Sequence, residues 1–187
     1  MNFLSLTWQQ LHKDTFVLAK KIEASEEKPD LIVAIARGGM SIAQILSDFL
    51  SLPVATFTVS SYKDLRQKGP SDISFHVGGD VKNKRVLLVD DVSDTGKTFE
   101  RGIQYLHELG VTSITTAALL VKPQSKYLPD FFVKKTSAWI VFPYEIKETI
   151  LSVSSVMKKE KKTIAEIRTK LKELKIPGKF VKYYLLH

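Results

Sequence analysis

The strongest constraint on the fold lies at residues 86–98. Val86-Leu-Leu-Val-Asp90 runs without a polar break into Asp91-Val-Ser-Asp-Thr-Gly-Lys-Thr98, and apolar residues follow at Phe99, Ile103, Leu106 and Leu109. The unbroken apolar run is that of a strand buried on both faces, and the spacing after it is that of a helix, closed at Gly110. Leu31-Ile-Val-Ala-Ile-Ala36 repeats the plan: Arg37-Gly38-Gly39 turns the chain, and helical spacing continues through Ile42, Ile45, Leu46, Phe49 and Leu50. A strand buried on both faces needs cover on both, so these segments predict an α/β fold, a mostly parallel twisted sheet flanked by helices. In such sheets ligands bind beyond the carboxyl ends of the strands, where Arg37–Gly39 and Asp90–Thr98 fall.

The rest of the chain fits that frame. Trp8–Ile22 has helical spacing, and Val54–Val59, Ser113–Val121 and Ala138–Phe142 read as further strands. Residues 60–79 are polar, with three glycines and one proline, and offer only the short alternation Ile73, Phe75, Val77, a long mobile loop or weak hairpin. The absence of cysteine excludes disulfides, thiolate zinc sites and a cysteine nucleophile, and the four scattered histidines argue against a histidine metal site. Every apolar run is too short to span a bilayer, and no leader pattern follows Met1. A cytoplasmic protein with no membrane partner is expected.

Charge is concentrated at the end of the chain. Residues 1–157 carry a net +1, whereas residues 158–187 hold 10 basic and 3 acidic residues, a net +7. Within that segment Ile164, Ile167, Leu171 and Leu174 form one helical stripe, with Thr163 as N-cap, Glu166 at the capping-box position and Pro177-Gly178 as terminator. The expected organisation is a main domain over residues 1–150 and a small basic helical C-terminal extension over 158–187. The extension is expected to pack on the body or a partner subunit with its lysines solvated; the alternative is a basic surface for nucleic acid.

The segment 86–98 also carries chemistry. Ser93–Thr98 offers successive backbone N–H groups, two threonine hydroxyls and the positive end of a helix, which together make a phosphate cradle that Gly96 lets a ligand approach closely. Asp90 and Asp91 are adjacent carboxylates able to hold sugar hydroxyls while one faces a Mg²⁺-bound substrate. A competing reading makes Ser93 or Asp94 an ordinary helix cap. The spacing is not that of a Walker A loop.

Val86–Thr98 resembles the ribose-phosphate signature of the type I phosphoribosyltransferases, which bind 5-phosphoribosyl-1-pyrophosphate (PRPP). Other segments extend the resemblance over roughly residues 7–147 toward the 6-oxopurine branch, most closely the xanthine-guanine enzymes. The resemblance assigns Asp90, Asp91, Ser93, Asp94, Thr95, Gly96, Lys97 and Thr98 to PRPP. Ala36-Arg37-Gly38-Gly39 is similar to the pyrophosphate loop, with a cis peptide expected before Arg37. Ser60-Ser61-Tyr62 resembles the start of a flexible loop that closes over substrate. Lys122, in Lys122-Pro123, matches the lysine that meets the purine O6, and Trp139-Ile140 matches the residues that stack on and read the base. Tyr144-Glu145 stands where the family has Trp-Asp, with Glu145 joining Asp90 and Asp91 as a metal residue.

The implied reaction is Mg²⁺-dependent transfer of phosphoribose from PRPP to a 6-oxopurine, in purine salvage. Asp94 is then the general acid/base, and Arg37 and Lys122 neutralise developing charge. The family also implies a homodimer or homotetramer. The alternative is a PRPP or nucleotide sensor of the same fold that uses the basic tail on nucleic acid.

Overall fold

The computed structural model describes residues 2–60 and 72–186; Ser61 and Tyr62, expected to open the loop over substrate, lie outside the described residues. The elements are β1 (Phe3–Ser5), α1 (Trp8–Glu23), β2 (Leu31–Ala36), α2 (Gly38–Leu50), β3 (Val54–Ser60), β4 (Asp72–Phe75), β5 (Arg85–Ser93), α3 (Lys97–Glu108), β6 (Ser113–Val121), β7 (Phe131–Lys135), β8 (Trp139–Val141), α4 (Ile146–Lys159), α5 (Ile164–Glu173) and α6 (Gly178–Leu186). They divide into two compact units, one of residues Leu11–Thr136 and one of Met1–Gln10 with Ser137–His187.

In the larger unit the described residues form a six-stranded sheet of order β4-β3-β2-β5-β6-β7, with β3–β4 antiparallel and the other neighbours parallel. The expected mixed α/β architecture is what the chain adopts. Its central strands are the unbroken apolar runs: Ile32–Ile35 and Val86–Val89 are buried throughout. The chain leaves β2 through α2 to reach β3 on one side, and leaves β5 through α3 to reach β6 on the other. Strand order therefore reverses between β2 and β5, and a crevice opens beyond their carboxyl ends. Leu31 pairs with Val86 and Ala34 with Val89, so the two strands run level toward Ala36 and Asp90–Asp91. One side of the sheet is packed by Phe99, Tyr105 and Leu106 of α3 against Val33, Phe57 and Leu88.

Two edge elements go beyond the sequence expectation. Part of the supposed loop forms β4, with Ile73 opposite Val59 across a register shift at Thr58/Val59, which is the hairpin side of the expected alternatives. β7 was not anticipated: Phe131-Phe-Val is a three-residue apolar run closed by Lys134-Lys135, half-buried and paired with β6.

In the smaller unit β1 pairs in parallel with β8, Phe3 opposite Trp139. Val141, Ile150, Val153, Ile167, Leu171 and Leu174 form one core with Phe3 packed against it. The residues of the expected extension thus share their core with α4, β1 and β8. Among the described residues no helix is long and apolar enough to cross a membrane.

The start of α5 follows the reading of its sequence. The Thr163 hydroxyl accepts the Glu166 N–H at 3.2 Å, and Glu166 Oε2 accepts the Thr163 N–H at 2.8 Å. Thr163→Ala is expected to cost about 1 kcal/mol, read as a lower midpoint in thermal unfolding. The bond from the Thr163 N–H, helped by Lys162 and the Thr163 hydroxyl, holds the Glu166 carboxyl at about 2. A depressed folded value stabilises above the unfolded pKa. The Glu166 contribution is therefore complete at neutral pH and fades as pH falls from 4.5 toward 2.

Candidate active site at the β2–β5 crevice

β5 carries its charges into the crevice still buried. Asp90 is 8% exposed and Asp91 7%, and the Asp91 N–H donates to Asp90 Oδ1 at 2.9 Å. Burial, reinforced by the neighbouring Asp91 charge, pushes the Asp90 carboxyl well above the usual carboxylate range. Such a pair favours a partner that brings hydroxyl donors or positive charge.

The start of α2 lies against the same strand end, for a steric reason. A Cβ at Gly38 would fall 2.5 Å from Asp91 Cγ, and one at Gly39 would strike the Val89 carbonyl, whose carbon lies 3.1 Å away. Only glycines allow this approach, which lays the start of α2 directly against the end of β5. The Ala36–Arg37 peptide is cis, as the resemblance implied. Arg37 is the N-cap residue of α2 and makes no side-chain cap.

Beyond Ser93 the chain turns into α3 without the cap that the competing reading required. The N-cap residue is Gly96, which has no side chain to cap with, and the Lys97 N–H donates to the Thr95 hydroxyl at 3.5 Å. Ser93, 1% exposed, spends its hydroxyl on the Tyr127 carbonyl at 2.9 Å and the Ser125 hydroxyl at 2.8 Å. Asp94 Oδ1 accepts from Gln124 Nε2 at 2.9 Å. Unsatisfied N–H groups at a helix start form an anion site. Residues 90–96 with Thr98 and Phe99 line a cavity of about 260 Å³ there. Lys97, assigned to PRPP with its neighbours, is exposed at the first position of α3 and is not among the lining residues.

Gly96 has φ +89°, and a Cβ there would lie 2.6 Å from both Cβ and N of Tyr127. The close approach it permits within the chain is to Tyr127, and Gly96 also lines the cavity. Tyr127 is itself fixed: its ring stacks on Phe99 with centroids 5.4 Å apart, and its hydroxyl lies 3.2 Å from Thr116 Oγ1. Burial raises the Tyr127 phenol above its ordinary pKa.

Lys122 reaches this end of the sheet through its backbone, donating N–H to the Ser93 carbonyl at 2.9 Å. Its neighbours Gln124, Ser125 and Tyr127, which hold the loop, were not picked out from the sequence; their signal was adjacency to Lys122-Pro123. Ser60 is the last residue of β3.

The remaining candidates lie in the smaller unit. Trp139 opens β8 at 48% exposure and, with Phe3, Val153, Val156 and Met157, lines an apolar cavity of about 250 Å³. Ile140 pairs with Leu4. Tyr144 stacks on Phe142 at 5.2 Å, and Glu145 precedes α4 without capping it. Among the described residues no group of three or more His, Asp or Glu could hold a metal ion alone.

Comparison with known proteins gives this arrangement a setting. The phosphoribosyl transferase domain model matches residues 7–149. A xanthine-guanine phosphoribosyltransferase from Desulfotalea psychrophila is 34% identical over 143 residues, 75% of this chain and 84% of that protein. The crystal structure of a purine phosphoribosyltransferase from Pyrococcus horikoshii is 42% identical with a TM-score of 0.70, covering 77% of this chain and 95% of that one. A Helicobacter pylori xanthine-guanine-hypoxanthine phosphoribosyltransferase is 26% identical, also with a TM-score of 0.70, covering 80% of this chain and 98% of that one.

Proposed function

The chain belongs to the phosphoribosyl transferase family, and from that premise we propose that it is a purine phosphoribosyltransferase of purine salvage that transfers phosphoribose from PRPP to a 6-oxopurine in the cytoplasm. The observation that carries this reading is the cavity at the carboxyl end of β5, where buried Asp90 and Asp91 meet a helix start whose N-cap residue is a glycine. The base class is supported by the purine activities named for three relatives.

In this reading the first amides of α3 hold the 5′-phosphate, with the Thr95 and Thr98 hydroxyls beside them, while Asp90 and Asp91 accept from the ribose hydroxyls. The same carboxylates offer the hard oxygens that Mg²⁺ takes. As two adjacent acids they fit an ion that keeps most of its ligands as water and substrate oxygens, and the resemblance adds Glu145. Bound Mg²⁺ supplies charge neutralisation for pyrophosphate. Arg37 and the Gly38–Gly39 amides steady the leaving group. The purine N9 bonds to the anomeric carbon as the bond to pyrophosphate oxygen breaks, and that electron pair departs with pyrophosphate. Asp94 accepts the N7 proton and Lys122 steadies charge on O6. By resemblance Trp139 stacks on the base and Ile140 reads it. Resemblance also implies a homodimer or homotetramer.

Lys122 has only donors to offer at the purine 6-position, so an oxygen there is accepted and an amine is not. Incubation of the protein with PRPP, Mg²⁺ and each base in turn is expected to yield mononucleotide from hypoxanthine, guanine or xanthine and none from adenine. Adenine as the preferred base, or no nucleotide from any purine, would contradict the assignment.

A further inference from the structure

The segment after β6 follows the loop after β5 almost residue by residue. Besides the bond from Lys122 to Ser93, the Lys126 N–H donates to the Thr95 carbonyl at 3.1 Å, and the hydroxyls of Ser93 and Ser125 meet at 2.8 Å. Gln124 lies between these anchors, and its Nε2 donates to Asp94 Oδ1 at 2.9 Å. A hydrogen bond between two exposed side chains ordinarily loses most of its value to the rotamer freedom it must freeze. Here the backbone on both sides of Gln124 is pinned to the backbone on both sides of Asp94, so much less freedom remains to be lost.

We propose that Gln124 is a positioning residue for Asp94. This rests on the functional reading above, in which Asp94 takes the purine N7 proton. The carboxylate has two oxygens, and the Gln124 amide occupies Oδ1 as a donor. That fixes the rotation of the carboxyl group and leaves Oδ2 to receive the proton. When N7–H breaks, the proton goes to Oδ2 and its bonding pair returns to the ring. Gln124 keeps its bond to Oδ1 throughout, since a carboxylic acid still accepts at its carbonyl oxygen. The amide thus bonds Oδ1 in both protonation states of the carboxyl group.

The test is steady-state kinetics of the full chain with PRPP, Mg²⁺ and the best oxopurine, comparing wild type with Gln124→Ala, Gln124→Glu, Asp94→Asn and the Asp94→Asn/Gln124→Ala pair. Gln124→Ala is expected to lower kcat about tenfold with both KM values little changed, because orientation of the proton acceptor matters more to the transition state than to substrate binding. Gln124→Glu keeps the size of the side chain but replaces the donor with a second negative charge, so it is expected to be at least as slow. A role in packing would leave it active. In the Asp94→Asn background, loss of Gln124 is expected to add nothing, since the group it positions is already gone. Wild-type kcat in Gln124→Ala, full activity in Gln124→Glu, or an undiminished effect of Gln124→Ala in the Asp94→Asn background would each overturn the proposal while leaving the enzyme assignment intact. A wild-type protein that forms no nucleotide would overturn both.

Discussion

Asp94→Asn is expected to lower kcat for nucleotide formation by about 10²–10⁴-fold, the usual worth of a positioned proton acceptor, with KM for PRPP and the thermal midpoint close to wild type. Asn has nearly the shape of Asp and an oxygen with which to accept from Gln124, so the loop keeps its hydrogen bond. Asp94 is exposed and caps no helix, so its replacement removes no structural support. What the amide cannot do is take a proton from N7. The leaving pyrophosphate would still be bound and neutralised by the Arg37–Gly39 turn, and a base deprotonated in solution would still react slowly. Single-turnover measurement of nucleotide formation separates this loss from product release. A kcat within threefold of wild type would remove Asp94 from the reaction.

Gly96→Ala is expected to act through packing. The added Cβ would meet Tyr127 at its backbone nitrogen, and φ +89° is strained for any residue with a side chain. Tyr127 has little room to withdraw: its ring stacks on Phe99, its carbonyl accepts from Ser93 and its hydroxyl bonds Thr116. The turn must therefore shift. The expected cost is about 2–4 kcal/mol of stability from combined overlap and backbone strain. The first amides of α3 move with the turn, so KM for PRPP should rise tenfold or more. Thermal unfolding and PRPP saturation curves read the two effects separately. An unchanged midpoint with unchanged KM would show that the turn yields without moving the anion site.

These expectations rest on features of unequal visibility in the sequence. The strand–turn–helix at Val86–Leu109 was legible because burial on both faces leaves an unbroken apolar run and a helix leaves its spacing. The Thr163–Glu166 box was legible because both partners lie within one turn. β1 and β7 were not, since Phe3-Leu4 and Phe131-Phe-Val133 are apolar runs too short to carry a period. The cap of α3 was misleading: Ser93 and Asp94 are good capping residues, yet their side chains are drawn off by Ser125, Tyr127 and Gln124. Those partners lie some thirty positions along the chain, and no local pattern announces them. Gly38 and Gly39 are legible as a turn that resembles the pyrophosphate loop; that β5 leaves no room for a Cβ at either position emerges only once α2 is laid on the strand.

The central claim is that the turn from Asp90 to Thr98 cradles the phosphoribosyl donor. Backbone amide resonances of the uniformly labelled full chain, followed during titration with PRPP and Mg²⁺, test it most directly. Saturable shifts concentrated at Thr95–Phe99, with Asp90, Asp91 and the Arg37–Gly39 turn, are the predicted result. Saturable binding that leaves those amides unmoved, or no binding, would contradict it.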